Sequence, residues 1–197
     1  MKVIGIVGGM GAGKTTVVSL IKEFKKCFII SCDQIGHDLL VKGHEGYEKV
    51  IEAFGVNILS ENGDIVRARL GELVFKNQDK LQLLNGITHP LIYKETKRQI
   101  ESCKNKNDVS FIIIDAALLI EMGLVSLTDK VIAVYADDEV RINRIISRQR
   151  LTRDQVQERF KVQKKWEEFK SIAHEVIDTS SGLEYTKEQI KDLIVRL

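Results

Sequence analysis

The sequence predicts a three-layer α/β fold, a five-stranded parallel sheet with helices on both faces. Short, β-branched runs recur along the chain. They are apolar throughout, as strands buried on both faces must be. Longer helical patterns separate them, and a βαβα order is what a parallel sheet requires. At 197 residues the chain can hold one substantial core with small insertions.

The first run is Val3 to Val7. A glycine-rich turn follows it. Then come Val17, Leu20, Ile21 and Phe24, spaced i, i+3, i+4 and i+7 on one face of a helix. The second run is Phe28 to Ile30, the third Phe111 to Ile114, the fourth Val131 to Val134, and a weaker fifth Glu175 to Ile177. Between 41 and 103 the rhythm stops. Helical patterns occupy Tyr47 to Phe54, Arg67 to Phe75, Leu81 to Ile87 and Pro90 to Ile100, with a turn signal at Glu61-Asn62-Gly63-Asp64. A second helix-rich region runs from Asp138 to Trp166, and a last helix from Thr186 to Leu197 packs back on the sheet. The expected division is a core of 1–40, 104–137 and 167–197, a helical insertion at 41–103 and a helical lid at 138–166.

Composition narrows the function classes. The chain is 44% hydrophobic and 29% charged, as soluble globular proteins are. A net charge of +2 calls for no nucleic-acid partner. Cys27, Cys32 and Cys103 are odd in number and form no CxxC pair, which argues against a disulfide framework or a zinc cage. Reduced thiols in the cytoplasm are the simplest reading. No apolar run approaches the ~20 residues that cross a bilayer. The N-terminus is basic then apolar, as a leader begins, but the run is short and leads into a glycine loop, so it reads as a strand.

That loop carries the strongest chemical signal. Gly8-Gly9-Met10-Gly11-Ala12-Gly13-Lys14-Thr15, with Thr16 next in line, fits GxxxxGKS/T between a strand and a helix. Glycines let several N–H groups approach one phosphate. The helix N-terminus adds positive potential there. Lys14 can reach β- and γ-phosphates, and the Thr15 hydroxyl suits Mg²⁺. A P-loop means nucleotide, without saying which reaction.

Asp33 ends the second strand in this reading, at the carboxyl edge of the sheet. A carboxylate there can take a hydroxyl proton during phosphoryl transfer, or cap the next helix. Asp115 ends the apolar run Phe111 to Ile114, where a Walker-B carboxylate holds Mg²⁺. Arg141, Arg144 and Arg148 share a helix face, with Arg150, Arg153 and Arg159 nearby. Such a set forms either a solvated basic face or an arginine-rich lid over a transferring phosphoryl group. His37 and His89 have no second ligand at metal spacing. His89 precedes Pro90, the single proline, which fits the first turn of a helix.

Taken together, the motifs resemble dephospho-coenzyme A kinase over nearly the whole chain. They are VIGIVGGMGAGKTT, SCDQIGHDLL around Asp33, IVRARLGELVF with Arg67, ITHPLI around His89, DAALLIE from Asp115 to Glu121, RINRIISRQRLTRDQVQERFKVQ and IDTSSGLE. The resemblance implies a nucleotide-binding core, a helical acceptor domain and a lid. It implies ATP and Mg²⁺ as cofactors and the ribose 3′-hydroxyl of dephospho-CoA as acceptor, with no nucleic acid and no membrane involved. Lys14, Asp33, Arg144 and Arg148 are the implied catalytic groups, Thr15 and Asp115 the metal ligands. Implied acceptor contacts are Asp33, His37, Arg67, His89 and Leu118. Departures are Ala117 where the family has Pro, Ile120 for an aromatic residue, Val66 for an acidic one and Thr179 for Asn.

Two other readings share some of these pieces. Nucleoside-monophosphate-type kinases have the same core, P-loop and lid. A GTPase switch would use Asp33-Gln34-Ile35-Gly36 as DxxG and Asn105-Lys106-Asn107-Asp108 as NKxD. The second of these should follow a buried strand and instead follows an amphipathic stretch, so it reads as a polar connecting loop.

Overall fold

All five apolar runs become strands. A computed structural model describes residues 1–106, 108–149 and 151–197. The strands are β1 (Lys2–Val7), β2 (Cys27–Ser31), β3 (Phe111–Asp115), β4 (Lys130–Tyr135) and β5 (Glu175–Asp178). The helices are α1 (Lys14–Phe24), α2 (Cys32–Leu39), α3 (Glu45–Phe54), α4 (Arg67–Phe75), α5 (Gln78–Lys106), α6 (Asp138–Gln149), α7 (Arg153–Lys161), α8 (Trp166–Ile172) and α9 (Leu183–Arg196). The sheet order is β2-β3-β1-β4-β5, and every pair is parallel. The chain moves from β1 to one side first and to the other later. That reversal opens a crevice at the carboxyl ends of the strands, where open α/β sheets bind ligands.

Strand side chains alternate between the two faces. Val3, Val7, Ile112, Ile114 and Val131 join a core with residues of α2, α5 and α8. Ile4, Ile6, Ile113, Ile132 and Val134 join a second core with α1 and α9. Each fully buried isoleucine contributes about 1.5–3 kcal/mol. The predicted helix face holds, with Val17, Leu20 and Ile21 buried in the second core and Phe24 packed at its margin.

The 41–103 stretch has a small core of its own. Val50, Ile58, Leu70 and Val74 pack with Leu81, Leu84 and Ile87. The predicted turn is present, with the Ser60 N–H on the Asp64 carbonyl at 2.8 Å and a lone antiparallel bridge from Leu59 to Ile65. One expectation fails here. The two patterns on either side of His89 form a single helix, α5, with Pro90 in its interior. Proline removes one helical N–H and crowds the carbonyl four residues back. That carbonyl belongs to Gly86, which is exposed, as is Pro90, so water can satisfy it. The second half of α5 leaves the small core and supplies Ile92, Ile100 and Cys103 to the sheet.

Residues 138–166 hold α6 and α7, joined through a capping box between Thr152 and Gln155. Ile142, Ile145 and Val156 form their core, and Met10 of the glycine loop packs into it. The three thiols are free. Among the described residues, no helix is long and apolar enough to cross a membrane.

Candidate active site

Beyond β1 the backbone turns through residues 8–13 into α1. Gly8 has φ +147°, and a Cβ there would lie 2.5 Å from the Val134 carbonyl oxygen, so only glycine fits beside β4. Gly11 and Gly13 sit at φ +79° and +93°. Such alternation makes a nest of N–H groups for an anion. The carbonyls on the outer side are tied down in succession. Arg141 Nε donates to Met10 O at 3.0 Å, Arg144 Nη1 to Gly11 O at 3.3 Å, and Thr179 Oγ1 to Ala12 O at 2.7 Å. A peptide whose carbonyl is held outward presents its amide inward, toward the positive end of α1.

Lys14 Nζ donates to the Gly8 and Gly9 carbonyls at 2.6 and 3.2 Å. Burial lowers its pKa, and the Asp115 and Asp33 carboxylates oppose that shift. Strand register explains why these groups meet. Asp115 is level with Ile6 of β1 and Ser31 of β2. Asp33, expected at the end of β2, instead lies in the first turn of α2. Nor does it cap that helix, because Ser31 Oγ accepts from Gln34 N at 3.3 Å and fills the position. The Asp33 side chain is left exposed, two residues past the sheet. Burial pushes the Asp115 carboxyl up, Lys14 pulls it down, and Asp33 pushes it up again.

Asp115 thus carries a charge that burial disfavours, which a divalent cation would offset as Lys14 does. The donors at hand are oxygens, namely Asp115 and the exposed hydroxyl of Thr15. Among the described residues, no cluster of three or more His, Cys, Asp or Glu side chains forms a metal cage. Mg²⁺ needs none, since it takes one or two carboxylates and completes its shell with phosphate and water.

Two of the cavities that adjoin the loop are walled by residues singled out in the sequence. One of about 590 Å³ is walled by Gly8, Gly9, Lys14, Leu118, Glu121 and Gln163, among others. The other, about 190 Å³, is walled by Gly13, Thr16, Arg144, Arg148, Thr179 and Gly182, among others.

A family model described as dephospho-CoA kinase matches residues 2–184. The dephospho-CoA kinase of Carboxydothermus hydrogenoformans is 39% identical over 194 residues, covering 98% of this chain and 93% of that one. That of Aquifex aeolicus is 38% identical over 197 residues, covering 100% and 98%. The chain belongs to the dephospho-CoA kinase family. It is accordingly an ATP-dependent kinase. A solved dephospho-CoA kinase from Campylobacter jejuni shares the fold, with TM-score 0.73, 24% identity and coverage of 98% and 96%.

Residues expected of a dephospho-CoA kinase are spread over several elements. Asp33 and Asp115 lie near enough to Lys14 at the sheet edge to act on its charge, and Leu118 lines the larger cavity with Lys14. Arg144 and Arg148 line the smaller cavity beside Gly13 and Thr16, and Arg144 Nη2 also donates to Thr179 O at 2.7 Å. His37 and Arg67 are exposed, at the end of α2 and the start of α4, and line neither cavity. His89 is inside α5, near enough to Glu121 for that carboxylate to affect its titration. Arg153 pairs with Glu139, and Arg159 donates to Gln149 at 3.0 Å, so both brace α6 against α7. Arg150 lies outside the described residues.

The GTPase pieces separate. Asp33 to Gly36 are helical. Asn105 and Lys106 end α5, Asn107 lies outside the described residues, and Asp108 pairs with Lys26 at 2.7 Å before β3 begins, at the sheet end remote from the P-loop. Motif spacing gave no role to Gln163 or to Thr179 as a P-loop anchor. Their partners lie 153 and 167 residues away, and no local pattern encodes such contacts.

Proposed function

We propose that the chain transfers the γ-phosphoryl group of ATP to the ribose 3′-hydroxyl of dephospho-CoA, giving CoA and ADP, with Asp33 aligning the hydroxyl and accepting its proton. The observation that carries this reading is that Lys14, which lines a cavity of about 590 Å³, lies near enough to Asp33 and Asp115 for both carboxylates to act on its charge. The 3′-oxygen bonds to the γ-phosphorus as its proton passes to the Asp33 carboxylate. The bond from the γ-phosphorus to the β–γ bridging oxygen breaks, and ADP leaves with that oxygen. An exposed carboxylate on the first turn of α2 is free for this role, since Ser31 already caps the helix.

Lys14 neutralises charge on the β- and γ-phosphates. Mg²⁺, when bound, supplies further charge neutralisation, and Asp115 and Thr15 are the residues that would hold it. Arg144 and Arg148 serve the nucleotide side, where they share a cavity wall with Thr16. Residues 41–103 act as the acceptor domain, contributing Arg67 and His89; His37 and Leu118 of the core contact the acceptor beside it, and residues 138–166 act as the lid. The free thiols favour a cytoplasmic setting.

Asp33→Asn tests the assignment. It should bind Mg²⁺–ATP with near-normal affinity and lose about 10²–10⁴-fold in turnover. Near-normal turnover would remove Asp33 from the mechanism.

A further inference from the structure

Gln163 ends the lid segment and has no part in the chemistry above. Its contacts give it one. Met10 is the crest of the P-loop, and the lid holds it at three points. Its N–H donates to Gln163 Oε1 at 3.0 Å. Its carbonyl accepts from Arg141 Nε at 3.0 Å. Its side chain packs against the Ile142, Ile145 and Val156 core. Arg141 is itself fixed, 4.1 Å from the Phe160 ring centroid and 2.8 Å from Asp138. Gln163 and Arg141 come from opposite ends of residues 138–166, so the two ends of the lid close on one residue and hold the peptide groups on either side of it.

Only the oxygen of a carboxamide can accept an N–H, so the bond to Met10 sets which way the Gln163 side chain faces. Gln163 also lines the cavity that contains Lys14 and Leu118. The amides next to α1, from Gly11 to Thr15, form the diphosphate cradle. Met10 lies before them and lines the same cavity as Lys14 and Gln163.

We propose that Gln163 is a positioning residue for phosphoryl transfer. By accepting from Met10 it docks the base of the lid on the P-loop and sets the γ-phosphate end of that loop. The diphosphate cradle does not depend on it. A small misplacement at the reacting end costs rate more than it costs product affinity.

Gln163→Met keeps the length and removes the acceptor. Gln163→Glu keeps an acceptor oxygen and adds a charge beside phosphate. For both, kcat with Mg²⁺–ATP, the Kd of ADP and the thermal midpoint are measured. Gln163→Met should lose about tenfold or more in kcat, with ADP affinity within about twofold of wild type and the midpoint unchanged. Gln163→Glu should regain activity relative to wild type as pH falls from roughly 8 to 5.5, because its protonated carboxyl is a neutral substitute for the carboxamide. A wild-type kcat for Gln163→Met would overturn the proposal. So would a loss shared equally by ADP affinity and kcat, with Gln163→Glu no better than Gln163→Met at any pH.

Discussion

Thr179 Oγ1 donates to the Ala12 carbonyl at 2.7 Å and accepts from Arg144 Nη1 at 2.8 Å. The residue is 3% exposed. Its single hydroxyl proton serves the shorter contact, and the Tyr135 carbonyl at 3.2 Å is the weaker acceptor. One side chain thus joins the end of β5, the P-loop and α6. The family resemblance implies Asn at this position. A threonine hydroxyl both donates and accepts, as a carboxamide does, so the departure keeps the hydrogen-bonding capacity.

Thr179→Val keeps the shape and removes the hydroxyl. It leaves the Ala12 carbonyl and one Arg144 donor without this partner. The expected loss is about 1–3 kcal/mol of stability, read from urea unfolding, with a raised KM for ATP. Thr179→Ser should stay near wild type. Equal midpoints for Thr179→Val and wild type would show that the hydroxyl anchors nothing.

His89 gives a pH dependence of known sign. Its Nε2 is buried without a partner. Burial holds its pKa below the ordinary value of 6.5, and Glu121 only partly opposes this. Below about pH 6.5 the unfolded chain therefore binds more protons at this site than the folded one, and stability falls as pH drops toward the folded value. Above that window the contribution is constant. Urea midpoints measured at several pH values should fall on the acid side for wild type and fall less for His89→Gln. Parallel curves for the two proteins would contradict this.

Cys32 precedes Asp33, and burial pushes its thiol up to about 11 despite the hydrogen bond with Thr96 Oγ1 at 3.6 Å. The thiolate is the reactive form. Native protein near neutral pH should therefore resist alkylation at Cys32 for as long as denatured protein takes to react fully, as read by peptide mass. Rapid modification of Cys32 in the folded enzyme would contradict the burial argument.

Periodicity located every strand, because a strand buried on both faces leaves an unbroken apolar run. The glycine-rich GxxxxGKT pattern located Lys14, and the end of an apolar run located Asp115. Periodicity misplaced Asp33 by a short step, since nothing in SCDQ distinguishes the strand end from a helix capped by Ser31. It divided α5 at Pro90, where local propensity favours a start and tertiary packing overrides it. The clasp on Met10 and the anchor from Thr179 were not legible, because their partners are brought together only by the closed fold.

Phosphoryl transfer to dephospho-CoA is tested by following ADP release from Mg²⁺–ATP with dephospho-CoA, AMP, UMP, shikimate or no acceptor, and with GTP as an alternative donor. Rapid turnover with dephospho-CoA alone, yielding a product phosphorylated at the ribose 3′ position, is the predicted result. Turnover with AMP, UMP or shikimate and none with dephospho-CoA would contradict the proposed acceptor and leave only the P-loop chemistry standing.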